Sequence, residues 1–179
     1  MTQTDKTALL RAAVATDGGT EMQWLSSLEM AKAAAALNDE PYGIFFCTES
    51  VARVAGESDE TRAAYKQAHS GVLPEKTPFD SKNVRDWLAL LGIRRWVKVA
   101  DTAENRTVFE RYGASPNTIL FLSPDGTTWA KLSGQQTQEN AVIAALTGDV
   151  LRQFERYANA AKERALSRDG DGQTEPERR

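Results

Sequence analysis

Apolar positions follow two rhythms along this chain, and the rhythms alternate. The segment "LSSLEMAKAAAALND" (25–39) has an alanine-rich interior that favours helix. Ser26 is placed to cap it, Glu29 lies three residues on at capping-box spacing, and Leu25 and Met30 occupy the staple positions. Asn38-Asp39-Glu40-Pro41 predicts its end. "YGIFFC" (42–47) is apolar on both faces, as in a central strand covered from both sides. Tyr42, Ile44 and Phe46 fall on one face, and Gly43, Phe45 and Cys47 on the other.

"SDETRAAYKQAH" (58–69) predicts a helix capped by Ser58, and "GVLPEKTPFD" (71–80) a turn-rich linker with two prolines. In "SKNVRDWLALLG" (81–92), Val84, Trp87, Leu88 and Leu91 share one helical face, which Gly92 closes. "RRWVKVAD" (94–101) predicts a strand. "TAENRTVFERYG" (102–113) follows as a helix with Thr102 as cap and Gly113 as terminator. "TILFL" and "TTWAKL", joined by "SPDG", form an antiparallel hairpin. A helical pattern then runs from Gln136 to about residue 167, interrupted at Gly148. The expected organisation is an N-terminal arm (1–21), a domain (22–147), a C-terminal helix (148–167) and a disordered tail (168–179). Crossovers through helices imply parallel strands, and the hairpin adds an antiparallel edge. The fold class is therefore α/β, a three-layer sandwich with a mixed central sheet and a C-terminal helical extension.

Composition mainly excludes. A net charge of −3 without a basic stripe gives nucleic acid nothing to bind, and Arg94-Arg95, the densest basic spot, is expected to be solvated. No apolar run reaches a membrane span, and the N-terminus does not resemble a secretory signal; a cytoplasmic location is the expectation. One cysteine rules out an intramolecular disulfide and a cysteine-cluster metal site, and one histidine, His69, leaves little for a zinc site or a histidine triad. No metal and no cofactor are expected.

The order of elements resembles the thioredoxin-like family, and local text carries the resemblance. "QWLSSLEMAKAAAALNDEPYGIFF" is similar to the entry of bacterial thioredoxin-like domains, with Glu40-Pro41 in place of the family's Lys-Pro. "VKVADTAENRTVFERYG" is similar to the third strand and helix, and "TILFLSPDGTTWAKLSG" to the closing hairpin. The resemblance spans roughly residues 22–147. It implies a CxxC at the start of the helix after the central strand, but Val51 and Val54 stand at the two cysteine positions and Cys47 lies four residues too early. It also implies a cis-proline before Thr118. Asn117 holds that place, and Pro116 sits one residue upstream, so either the register shifts or the cis-proline is gone.

Dithiol exchange needs a second thiol to resolve the mixed disulfide, and this chain has none. A monothiol reading survives in Cys47-Thr48-Glu49-Ser50, where Ser50 could cap a short helix and lower the thiol's pKa. Against it, Glu49 is acidic and Cys47 continues an apolar row, the setting of an inert buried thiol. His69 reads as a surface residue at a helix end, and Asp101 and Glu104 as helix-start acids with a lesser claim to ligand binding. The four tryptophans, Trp24, Trp87, Trp96 and Trp129, read as core. By the resemblance, Thr48, Glu49, Ser50, Val51 and Val54 face Pro116, Asn117 and Thr118 across the groove where redox relatives receive an extended peptide. The expected function is a non-catalytic module that binds a protein or extended peptide; the alternative is a monothiol oxidoreductase or peroxide scavenger using Cys47. Val150, Phe154, Tyr157 and Ala161 form an apolar seam on the last helix that either packs on its own domain or makes a homo-oligomer.

Overall fold

The computed structural model describes residues 22–170. The N-terminal arm and most of the expected tail lie outside the described residues. Five strands form one sheet: β1 (Gln23–Leu25), β2 (Tyr42–Cys47), β3 (Arg95–Ala100), β4 (Thr118–Leu122) and β5 (Thr128–Ser133). Their order is β1-β3-β2-β4-β5. β1 and β2 flank β3 in parallel, whereas β4 runs antiparallel to both β2 and β5. Helices α1 (Leu28–Asn38), α2 (Glu49–Val54), α3 (Asp59–Ala68), α4 (Lys82–Leu90), α5 (Arg106–Tyr112), α6 (Glu139–Thr147) and α7 (Asp149–Gly170) surround it. This mixed sheet with helices on both faces is a thioredoxin-like fold, with α7 as its C-terminal extension.

β2 is central and wholly buried, because each of its faces meets a separate layer. Ile44 and Phe46 join Ala31 and Ala35 of α1, Val97 and Val99 of β3, and Phe109 of α5. Phe45 and Cys47 join Val84 and Leu88 of α4, Val142 and Leu146 of α6, and Val150 of α7. The alternation along "YGIFFC" thus divides the core in two, as the period-2 pattern requires. Gly43 is needed where it stands, because the ring of its register partner Trp96 fills the space above it. A Cβ there would lie 2.3 Å from a ring carbon.

Several local expectations shift. The strand β1 has no counterpart in the sequence reading; its three residues pair with β3, opposing Trp24 to Trp96. Its presence moves the start of α1, so Ser27 rather than Ser26 is the cap and accepts from the Met30 amide at 3.2 Å. Ser58 caps α3 as predicted, and Gly113 ends α5 in the left-handed region. Thr102 makes no side-chain cap; a 3-10 turn (Ala103–Asn105) precedes α5. Another 3-10 turn (Gly134–Thr137) occupies the expected start of the last helical stretch, and the break at Gly148 separates α6 from α7. The helix α7 reaches Gly170, past the expected limit of 167.

The expectation that Arg94-Arg95 is solvated is overturned. Arg95 is 1% exposed, and its guanidinium is ion-paired with Glu40, which also meets Arg94 at 3.2 Å. A buried guanidinium is retained only against an opposing charge, and Glu40 supplies it from the position where the resembling domains carry lysine. The segment 71–80 is also more than a linker. Phe79 packs against Phe45, Trp24 and Trp96 with ring centres 4.8–5.2 Å apart. Asp80 accepts from the Gly56 and Thr77 amides at 2.9 and 2.8 Å and pairs with Arg62 at 2.5 Å.

Part of the C-terminal seam packs on the domain itself. Val150 is fully buried, and Phe154 and Tyr157 lie against Trp129 of β5 with ring centres 6.3 and 6.0 Å away. Tyr157 also donates a hydrogen bond to Asp39 at the end of α1. No helix among the described residues is long and apolar enough to cross a membrane.

Candidate functional site

At the C-terminal end of β2 the sheet opens into a half-open cleft of about 620 Å³. Its floor is Phe45, Cys47 and Val51. One wall is the segment from Glu75 to Pro78, anchored beneath by Phe79 and Asp80. The opposite wall is Pro116 and Asn117, continued by the 3-10 turn that holds Gly134, Gln135 and Thr137.

The sequence-derived site residues divide into two groups. Cys47, Thr48, Val51, Pro116 and Asn117 border the cleft together. Glu49 and Ser50 are exposed on the first turn of α2 and do not line it. Val54 and Thr118 are buried. The Thr118 hydroxyl donates to the Ser115 carbonyl at 2.8 Å, which ties the Ser115–Asn117 loop to the start of β4. Thr48, not Ser50, caps α2, accepting from the Val51 amide at 3.5 Å. The thiol therefore precedes the cap and lies outside the helix.

Asn117 replaces the expected proline with a different device. The described residues contain no cis peptide bond; Asn117 instead adopts φ +70°, a left-handed conformation that asparagine tolerates better than most residues. Its amide donates to the Phe46 carbonyl at 2.7 Å, and its carbonyl accepts from the Gly134 amide at 3.2 Å. Its side-chain oxygen accepts from the Thr137 hydroxyl at 2.8 Å. One residue thus clamps the end of β2, the start of β4 and the far wall of the cleft. Thr137, buried and also donating to the Gly134 carbonyl at 2.6 Å, is the partner that sequence reasoning missed. Its local text, "GQQTQ", carries no signal of that role.

Cys47 borders the cleft yet is only 2% exposed. Burial pushes its thiol from an ordinary value of 9.0 up to about 12, against a smaller downward pull from Lys98. Desolvation wins because the Lys98 ammonium is committed elsewhere: it sits 2.6 Å from Glu57 and 4.4 Å from the centre of the Trp24 ring. Lys98 is a second residue missed from sequence; it faces the same side of the sheet as Cys47 because it pairs in register with Phe45. At neutral pH the sulfur is a protonated, apolar-packed thiol, poor both as nucleophile and as metal ligand.

The remaining candidates lie outside the cleft. His69 is exposed, stacked on Tyr65 at 3.8 Å, with Nδ1 2.8 Å from the Tyr65 carbonyl oxygen. Asp101 and Glu104 are exposed and line no wall of the cleft. Trp96 is buried, its indole N–H donating to the Ile93 carbonyl at 2.8 Å; Trp24, Trp87 and Trp129 are half-buried against the core.

No protein-family model matches the chain, and no curated protein matches it significantly. Among solved structures, a thioredoxin from Thermus thermophilus is similar, at 17% identity over 71% of this chain and 85% of that one, with a TM-score of 0.47. A DsbH oxidoreductase aligns at 12% identity over 72% and 84%, TM-score 0.46. A disulphide isomerase from Xylella fastidiosa Temecula1 aligns at 14% identity over 75% and 88%, TM-score 0.38. What the site can do follows from its own residues.

Proposed function

We propose that this chain is a thioredoxin-like module without redox chemistry, whose cleft holds an extended segment of a partner protein. The observation that carries this reading is the state of Cys47: the chain's one thiol is buried, held protonated, and has no second thiol to complete an exchange. The cleft above it supports binding. Its floor is apolar, and the exposed carboxamides of Gln135 and Gln138 on its rim suit the backbone groups of an extended chain. The monothiol alternative has the pull of Lys98 in its favour, and burial outweighs that pull.

Two measurements on the full chain test the reading. Reduction of insulin disulfides and consumption of peroxide by the wild type should match the buffer blank, and Cys47→Ala should leave both unchanged. Peptides selected by display against the protein should shift the amide resonances of Thr48, Val51, Asn117 and Gln135, and Val51→Asp should abolish their binding. A turnover that disappears in Cys47→Ala would overturn the non-catalytic half. Selected peptides that perturb only residues away from the cleft would overturn the binding half.

A further inference from the structure

The two walls of the cleft differ in what their main chains still offer. On the Ser115–Asn117 side the groups are largely spent. The Ser115 amide donates to the Thr118 hydroxyl oxygen at 3.3 Å, and the Ser115 carbonyl accepts from the same hydroxyl at 2.8 Å. Pro116 has no N–H to give. The Asn117 amide is taken by the Phe46 carbonyl, and the Asn117 carbonyl by the Gly134 amide. An incoming chain meets no row of open donors and acceptors there, so this wall cannot take an added strand.

The Glu75–Pro78 wall is the reverse. Pro74 and Pro78 bias the residues before them, Leu73 and Thr77, to extended backbone, and Thr77 stands at φ −103°, ψ 167°. Residues 72–77 form no helix, strand or turn. The far end is anchored, because Asp80 accepts from the Thr77 amide and hydroxyl at 2.8 and 3.0 Å and Phe79 is buried among aromatic rings. Glu75 and Lys76 are exposed and border the cleft, and their main-chain N–H and C=O groups make no hydrogen bond among the described residues. In extended backbone these groups point to opposite sides at successive residues, so the segment is open along both of its sides. An anchored, unpaired, extended segment is what a peptide joins by strand addition. We propose that the partner's extended segment is held by main-chain pairing with Glu75 or Lys76, and not by the Ser115–Asn117 wall. This rests on the cleft reading above and adds the mode of recognition: the partner is read chiefly as backbone, and its side chains only weakly.

Amide hydrogen exchange of the full chain, read by NMR with and without a display-selected peptide, tests it. With peptide bound, exchange at the Glu75 or the Lys76 amide should slow by about tenfold or more, while Ser115 and Asn117 keep their free-state rates. Glu75→Ala and Lys76→Ala should hold peptide affinity within about threefold, because both keep the main chain. N-methylation of the peptide, one amide at a time, should weaken binding by about fivefold or more at one position at least. Peptide that shifts the Val51 resonance yet protects neither Glu75 nor Lys76 would overturn this inference and leave the cleft reading standing. Tolerance of N-methylation at every peptide amide, or a tenfold loss in either alanine variant, would do the same. No shift at Val51 with any selected peptide would overturn both.

Discussion

Asn117 joins backbone conformation to cleft geometry, and two substitutions separate its contributions. Asn117→Ala keeps an L side chain at φ +70° without the local hydrogen bonding that lets asparagine adopt this region, for roughly 1 kcal/mol. It also removes one of the two acceptors that share the Thr137 hydroxyl proton, the Gly134 carbonyl being the other, worth about 1 kcal/mol at most. Asn117→Gly loses the same acceptor but relieves the backbone. Alanine should therefore cost at most about 2 kcal/mol and glycine about 1 kcal/mol or less. Urea denaturation of both variants reads the difference, with an unchanged m-value as the control for two-state behaviour. Hydrogen exchange at Gly134, whose amide donates to the Asn117 carbonyl, reports whether the cleft wall loosens. If alanine and glycine are equally destabilising, or if neither differs from wild type, the clamp assigned to this residue is wrong.

Other perturbations test the core around the site. Gly43→Ala drives a methyl to 2.3–2.4 Å from three atoms of the Trp96 ring, so it should destabilise by about 3 kcal/mol in urea denaturation; a neutral outcome would contradict the packing described. Glu40→Ala removes the carboxylate that opposes the buried Arg95 charge and should cost about 3 kcal/mol, with Glu40→Gln recovering part of it in thermal melts. In alkali, the folded chain keeps the Cys47 proton where the unfolded chain releases it. The thiol's contribution is therefore whole below pH 9 and is lost as pH rises toward 12. Stability should accordingly fall from about pH 9 upward, and less steeply in Cys47→Ala, as followed by urea midpoints.

The legible parts of this protein are those written in short-range pattern. "YGIFFC" announces a central strand, and its alternation places Phe45 and Cys47 in one layer and Ile44 and Phe46 in the other, because a strand's period of two leaves no third choice. Ser58 and Gly113 mark helix ends by local chemistry. The strand β1 was not legible: three residues are too few for a period, and only pairing with β3 makes them a strand. Arg95 looked solvated because its partner, Glu40, lies 55 residues away in sequence. The cleft was half legible. Thr48, Val51 and Asn117 came from position within a resembling pattern, whereas Lys98, Thr137 and the wall at Glu75–Pro78 reach the site through tertiary contacts alone.

Alkylation of Cys47 in the native protein, followed against pH with a urea-unfolded control, decides whether the sulfur does chemistry. With the pKa raised from 9.0 to about 12, native labelling at pH 7 should run on the order of a thousandfold slower than in the unfolded chain. Native labelling as fast as the unfolded control, or a rate that has already levelled off below pH 7, would mean an ionised and accessible thiol, and the non-catalytic reading would fail.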